Sequence, residues 1–544
     1  MKKAGAQRLL QILLIIAIVV TAIWLLASVY LDRFAKEQLQ NAFNEESAGK
    51  YTLTISKLRL GLFTGSLTVT DFSIKPGRNA ENEIIINTHA KQLSFHGIHI
   101  LRYFFGKGAL VDEIRLTEPT VIIYGRKDLQ TENLNDTTDF SLYGFIRKFA
   151  RSVTIKRLAV NNFDFEYFHE INDSVPSLKS KENDFLAVNL RVGPETEKLP
   201  GMFSADSVSF SVSNFAYTTA DSLYTFNVGK MNVIYSDSAL VIDSVKVVPN
   251  YSKRRFAEIA GKQTDRFDIS ARKLYFHSVD LKTFIEYHGF DCKKLEIQRF
   301  NLRAFRDKND TRHFAVPMSV QQLLRESPVF VNIDTIELKQ SNIIYEEVAP
   351  GKKAPGVISF DNIEASLTGI TNDSVRIQEN SKIVVEAVSK LSGEGTVKAL
   401  FIIPMKATGM EFFCGGLITG VPLKTLNKMV EPTAGISFSS GFIDSIDFEF
   451  NAGDVESRGW MKFRYKDLQI ELPESGKNNT FGEKLMVFLA NNLIIKKNNP
   501  SGEGYASKVP LHYERNRQRF MFNYTWKTLY SGIKETVGVP EIKP

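Results

Sequence analysis

After Tyr51, apolar and polar residues alternate with a period of two over most of the chain, and Gly, Asn, Asp or Pro separates most of the runs. That pattern predicts a long succession of β-strands. The alternation breaks in a regular way. In "RSVTIKRLAVNNFDFEYF", Arg151 to Phe168, Val153 and Ile155 are odd-numbered, Leu158 and Val160 even, and Phe163, Phe165 and Tyr167 odd again. An ideal two-residue pleat cannot keep these on one face. The same step, apolar–polar–polar–apolar–x–apolar, recurs in Ile55-Leu58-Leu60, Val111-Ile114-Leu116, Ile242-Val245-Val247 and Ile297-Phe300-Leu302, then in Ile333-Ile336-Leu338, Phe360-Ile363-Ala365 and Ile443-Ile446-Phe448. A β-bulge absorbs one extra residue and returns the next apolar side chain to the same face, so these units predict strands that bend. In the first example the bends fall at Lys156-Arg157 and Asn161-Asn162. Chance recurrence in a chain rich in Ile and Leu is the competing explanation; the polar pairs in the middle of the units argue against it. The units lie roughly 25 to 90 residues apart, which excludes a fixed-period solenoid.

Helical spacing interrupts the strands at Ser141–Ala150, Val316–Ser327, Val421–Val430 and Phe481–Ile495. In the third, Pro422 suits a first turn and Pro432 stands where the helix should have stopped. These helices are too few for a βαβ fold. Leu31, Phe34, Leu39, Ala42 and Phe43 predict a short amphipathic stalk helix over residues 32–50.

The stalk follows 23 residues without charge, Leu9 to Leu31. As a helix they rise about 34 Å, enough for a bilayer core of about 30 Å. Trp24 and Tyr30 stand toward the far end, where aromatic rings favour the interface. A cleaved signal peptide would have a shorter apolar core and a small-x-small site, whereas this run ends "SVYLDRF". Lys2, Lys3 and Arg8 precede the span, so residues 1–8 are expected to be a cytoplasmic tail, and everything after Leu31 is expected outside the cytoplasm.

Composition narrows the remaining classes. Of 544 residues 43% are hydrophobic and 11% aromatic, enough to bury extensive β surface. The net charge of +7 is mild and interspersed, which argues against a nucleic-acid partner. Cys292 and Cys414 stand alone, as isolated buried thiols. No nucleotide-binding, metalloprotease or nucleophile-elbow motif occurs. Of the group His89, His96 and His99, the last two face opposite sides of a strand unless Gly97 marks a bulge, and no acidic or Cys ligand is adjacent; Asp444, Asp447 and Glu449 alternate with Ile446, Phe448 and Phe450, as on the outer face of an amphipathic strand. No catalytic residue, metal site or cofactor is expected. The C-terminal "RFMFNYTWKTLYSGIKETVG" reads either as a final strand pair with an amphipathic helix or as an interfacial segment, with Tyr524, Trp526 and Tyr530 as its interface residues.

The anchor, "YTLTISKLRLGLFTGSLTVTDFSIKP" and the C-terminal block from "GISFSSGFIDSIDFEF" through "GWMKFRYKDL" together resemble the AsmA-like family, relatives of TamB and of the repeating-β-groove lipid-transfer proteins. The resemblance implies a mainly β fold: a transmembrane helix, then a curved, mostly antiparallel taco-like sheet over residues 51–420, with a closing region over 421–544. It also implies an inner-membrane anchor, a periplasmic body and a part in phospholipid transport to the outer membrane. A sheet with one apolar face must cover that face or fill it. The expected groove residues are Ile55, Leu58, Leu60, Ile155, Leu158, Val160, Phe163, Phe165, Ile333, Ile336 and Leu338. Phospholipid is the expected partner, with the outer membrane or an envelope protein beyond it. The alternative is a non-enzymatic assembly scaffold with a closed β core.

Overall fold

The computed structural model describes residues 30–538 except 42, 45–46, 48–49, 62–63, 78–84, 100–107, 125–142, 144–149, 169–172, 174, 197–202, 235–237, 281–282, 284–288, 311–315, 380, 472–495 and 503. The chain is mainly β, a mostly antiparallel sheet of twenty strands with a few short helices, and it divides into two compact units. The first comprises residues 1–217 and 230–237, the second 218–229 and 238–544. The expected boundary at 420/421 is not a division, because one strand, Phe412–Pro422, runs across it.

In the first unit β1 (Tyr51–Gly61), β2 (Ser66–Pro76), β3 (Ile85–Ile98), β4 (Ala109–Tyr124), β5 (Val153–Phe168), β6 (Leu178–Val192) and β7 (Ser207–Thr218) pair in sequence order. All pairs are antiparallel except β4–β5. After β8 (Tyr224–Ile234) the second unit continues with β9 (Ala239–Pro249), β10 (Arg266–Val279), β11 (Phe290–Gln298), β12 (Asn301–Asp307) and β13 (Val331–Val348). Then come β14 (Gly356–Thr371), β15 (Lys382–Leu391), β16 (Thr396–Pro404), β17 (Phe412–Pro422), β18 (Ser437–Ala452), β19 (Glu456–Glu471) and β20 (Val509–Glu514). β11 and β12 are two halves of one interrupted strand: both pair antiparallel with β10 and parallel with β13.

The broken alternation has a definite backbone cause. Across β1 to β5 of the first unit, Ser56, Asp71, Lys91, Glu118 and Asn162 drop out of the ladder along one line, while the pairing on either side keeps its register. Each strand therefore carries one extra residue, and the next apolar side chain returns to the same face. On three of these strands, β2, β4 and β5, the extra residue is left-handed, with φ of 47° at Asp71, 49° at Glu118 and 56° at Asn162. A second line runs through Gly97, Asp112, Lys156 and Asn189. The second unit repeats the device, with Ser244, Arg299, Gln340 and Asn362 left-handed along one line and Ser278 and Gly369 along another. Both predicted bends in the opening segment thus lie on these lines, and Gly97 does mark a bulge.

A bulge frees a backbone N–H, and neighbouring strands accept it reciprocally. Asn162 N–H donates to Asp184 Oδ1 at 3.0 Å and Glu182 N–H to Asp164 Oδ1 at 3.0 Å. In the second unit Gln340 N–H donates to Glu364 Oε1 at 2.9 Å and Asn362 N–H to Asn342 Oδ1 at 3.0 Å. In all four cases the acceptor lies two residues beyond the partner's left-handed residue. This satisfies donors that would otherwise go unpaired at each bend.

The stalk is helical over residues 30–41 and 43–44, here α1. Its polar residues at i+4 spacing cover the open edge of β1: Asp32 accepts from Leu60 N–H at 2.7 Å and Asn44 from Leu53 N–H at 3.0 Å, while Lys36 and Gln40 donate to the Ser56 and Leu53 carbonyls. Covering an edge in this way removes a site for unwanted strand pairing. The predicted span 9–31, with Trp24 and the tail 1–8, lies outside the described residues apart from Tyr30 and Leu31; among the described residues no helix is long and apolar enough to cross a membrane.

The second unit adds α2 (Lys253–Ala260), α3 (Val320–Arg325), α4 (Ser374–Gln378), α5 (Asn427–Ala434) and α6 (Met521–Val537). α3 starts with a Ser319–Gln322 capping box, within the predicted segment. The predicted helix 421–430 is corrected: β17 extends to Pro422, a 3-10 turn covers Leu423–Leu426, and Pro432 lies inside α5. A proline forbids only its own N–H bond and crowds the carbonyl four residues back, which a short last turn tolerates before the left-handed Gly435. The predicted helix 481–495 lies outside the described residues, as does 141–150 apart from Tyr143 and Ala150. The C-terminal strand pair is also corrected, since Met521–Val537 is one helix.

Candidate functional site

Reading the registers across the strands shows what the bends achieve. In the first unit, Leu60, Leu67, Phe95, Ile114, Leu158, Ala187 and Val208 face one another in a row across seven strands. Two residues along each strand runs a second row, Leu58, Val69, Leu93, Leu116, Val160, Phe185 and Phe210. Every position in both rows is apolar, and both lie between the two bulge lines. At about 4.8 Å per strand they extend roughly 29 Å. Ile155, beyond the second line, still packs in one cluster with Leu158, Phe185, Ala187, Leu190 and Val208. Phe163, beyond the first, stacks on Phe210 at 6.0 Å, and Phe185 meets Phe210 edge-on at 6.5 Å.

The candidate residues therefore separate by position in the repeated unit. In the first unit the second and third members of each triplet, such as Leu58-Leu60 and Leu158-Val160, build the rows. The first members, Ile55 and Ile155, lie across a bulge line and are buried at 2% and 8% exposure. Ile55 and Leu58 share a cluster with Leu53 and Val69, against which Phe43 of α1 packs. Leu93, Leu116, Val160, Phe185 and Phe210 are only half-buried. Phe165 faces Ser180 and is half-buried as well.

The opposite face of this unit is charged and paired: Lys156 to Asp112 at 2.7 Å, Arg157 to Glu113 at 3.3 Å, Lys91 to Glu118 at 2.9 Å and Lys179 to Glu166 at 2.7 Å. His99 belongs to this surface, with Nε2 3.1 Å from Asp112. Hydrogen bonds from Lys156 and His99 hold the Asp112 carboxyl below its ordinary range. Among the described residues no group of three metal ligands converges.

The second unit carries the same pair of rows across eleven strands. One includes Ile242, Leu274, Ile297, Leu338, Ala365, Ala387, Ala399, Gly416, Phe448, Met461 and Val509. The other runs from Leu240 through Phe276, Leu295, Ile336, Leu367, Val385, Phe401, Cys414, Phe450 and Gly459 to Leu511. Ile336 and Leu338 stand in them, and Ile333 lies across a bulge line beside Cys292 and Ile370. Here the C-terminal end is filled. α6 lays Tyr524, Thr528, Gly532 and Thr536 against β19 and β20, and a Cβ at Gly532 would come within 2.5 Å of Leu511 Cδ2 and 2.9 Å of Met461 Cε. Tyr524 is 1% exposed and its hydroxyl donates to the Gly453 carbonyl at 3.1 Å, whereas Trp526 is 47% exposed. Ile446, Phe448 and Phe450 are buried in this core.

A cleft of about 730 Å³ in the second unit opens on the other side of the sheet, where Glu337, Glu386, Lys398, Asp447 and Glu449 line it. Gly415 flattens its floor under the Phe413 ring. Both cysteines are buried, and burial raises both thiols, Cys292 to about 11. No family model matches the chain, and no curated protein matches it in sequence.

Proposed function

We propose that the chain is a membrane-anchored protein of the cell envelope that shields lipid acyl chains on the apolar rows of its first unit and supports phospholipid movement between inner and outer membranes. The observation that carries the reading is the pair of all-apolar rows across seven strands, half-buried along much of their length. Solvating an acyl chain costs about 0.8 kcal/mol per methylene, so two long chains cost on the order of 20 kcal/mol in water. Rows perpendicular to the strands offer such chains an apolar path from strand to strand. The uncharged segment from Leu9 to Leu31 supplies the anchor, and the likeness to AsmA-like proteins agrees with both parts.

The test is mass spectrometry of lipid extracted from the purified full chain. The reading predicts phospholipid in near-stoichiometric amount, reduced when Val160 and Phe185 are both changed to Asp. Lipid-free protein favours the scaffold reading, to which the α6-filled core of the second unit gives its support.

A further inference from the structure

The two sides of α6 differ in chemistry. Opposite its buried stripe, Phe522, Trp526 and Tyr530 follow at i+4 spacing; Phe522 and Trp526 are each 47% exposed, and the Trp526 and Tyr530 rings stack at 6.0 Å. Phe522 reaches the strands, 5.8 Å from the Tyr345 ring and 6.1 Å from Phe360. Lys527 and Lys534 bracket Tyr530, their Nζ atoms 5.6 and 5.3 Å from its ring centre.

The strands facing this helix bring more positive charge. Arg306 holds Asp265 in a bidentate pair, at 2.5 and 2.8 Å. Lys308 reaches Glu347 at 2.6 Å, and the Tyr345 hydroxyl donates to the other Glu347 oxygen at 2.7 Å. Both carboxylates are thus engaged from the strand side, while Lys527 and Lys534 belong to the helix. Burial, together with the charges of Lys308 and Lys534, presses the Lys527 ammonium below its ordinary range. Partly desolvated like charges at this density repel one another unless an anion joins them.

We propose that this junction binds the phosphate of a phospholipid headgroup, with Lys308, Lys527 and Lys534 around the phosphate and Phe522, Trp526 and Tyr530 against the start of its acyl chains. Cations flanking an aromatic stripe match an amphiphile whose charge and apolar body adjoin. A free inorganic phosphate would use the cations and leave the half-exposed rings without a partner. This inference rests on the lipid-shielding reading and adds a headgroup preference to it.

Trp526 is one of three tryptophans, so changing Trp24 and Trp460 to Phe leaves it as the sole reporter in the full chain. Its quenching is titrated in detergent micelles with phosphatidylglycerol brominated on its acyl chains, and with the matching brominated diacylglycerol. We expect half-quenching at roughly tenfold less phosphatidylglycerol, as one charge-assisted contact supplies. Lys527→Gln should abolish that preference while melting no lower than the parent, because it removes a crowded cation. Equal quenching by both lipids overturns the headgroup site and leaves acyl shielding standing. So does a preference unchanged in Lys527→Gln. Reversal of the quenching by excess inorganic phosphate reassigns the site to free phosphate. No quenching by either lipid overturns the inference at Trp526, while phospholipid extracted with the protein would still uphold the reading on which it rests.

Discussion

Asn162 puts the bending mechanism to a test in which the sign of the effect is at stake. In a regular strand, valine is favoured over glycine by up to about 1 kcal/mol. Asn162 lies in β5 but has φ 56°, a region that costs an L-residue about 1–2 kcal/mol, least for Asn and most for β-branched side chains. Its N–H bond to Asp184 is made by the backbone and survives substitution. Asn162→Val should therefore destabilise the β5–β6 region by about 1–2 kcal/mol, whereas Asn162→Gly should stay within about 0.5 kcal/mol of the parent. Hydrogen exchange of β5 and β6 peptides, read by mass spectrometry, converts that difference to roughly 5- to 30-fold faster local opening in the valine variant. If valine protects these amides better than glycine, the strand is not bent by a left-handed residue at this position.

The helix–sheet contact predicts that Gly532→Leu, which drives a side chain into Leu511 and Met461, lowers stability by about 1–3 kcal/mol; an unchanged melting temperature would contradict that packing. Glu296, hydrogen-bonded by Lys339, and Glu337, hydrogen-bonded by Lys294, have carboxyls held below their ordinary 4.5. Their contribution is complete above that value and is lost as pH falls through the lowered folded-state values, so the urea midpoint should hold from neutral to about pH 5 and fall below it. Lys339→Met should flatten that acid limb; an identical profile would exclude this network as its source. With both thiols raised by burial, Cys292 and Cys414 should resist iodoacetamide at pH 8 in the native protein and react in urea, and rapid native labelling would show that one of them is accessible.

The strands and their bends were legible because a three-residue apolar step cannot fit a flat pleat, and Asn161-Asn162 offers a residue that tolerates positive φ. That Glu118, Glu182 and Gln340 do the same was not legible. Such residues rarely take this conformation, and at Glu182 and Gln340 the acceptor that receives the freed N–H lies on the neighbouring strand. The division of each triplet between row and flank, and the parallel β4–β5 and β12–β13 pairs, depend on long-range register that no local pattern encodes. At the C-terminus, aromatics dense enough for a strand pair hid how far the expected helix extends, since its buried stripe includes Thr528, Gly532 and Thr536, small and polar residues that count as exposed in any hydropathy pattern. Pro432 misled because a proline near the end of a short helix costs little.

The central claim, that the paired rows of the first unit hold acyl chains, is tested most directly by photocrosslinking in cells. A benzophenone amino acid placed at Val160 or Phe210 should form adducts with phospholipid, and one at Arg157 or Glu166 on the charged face should not. Adducts at all four positions, or at none, would contradict the account.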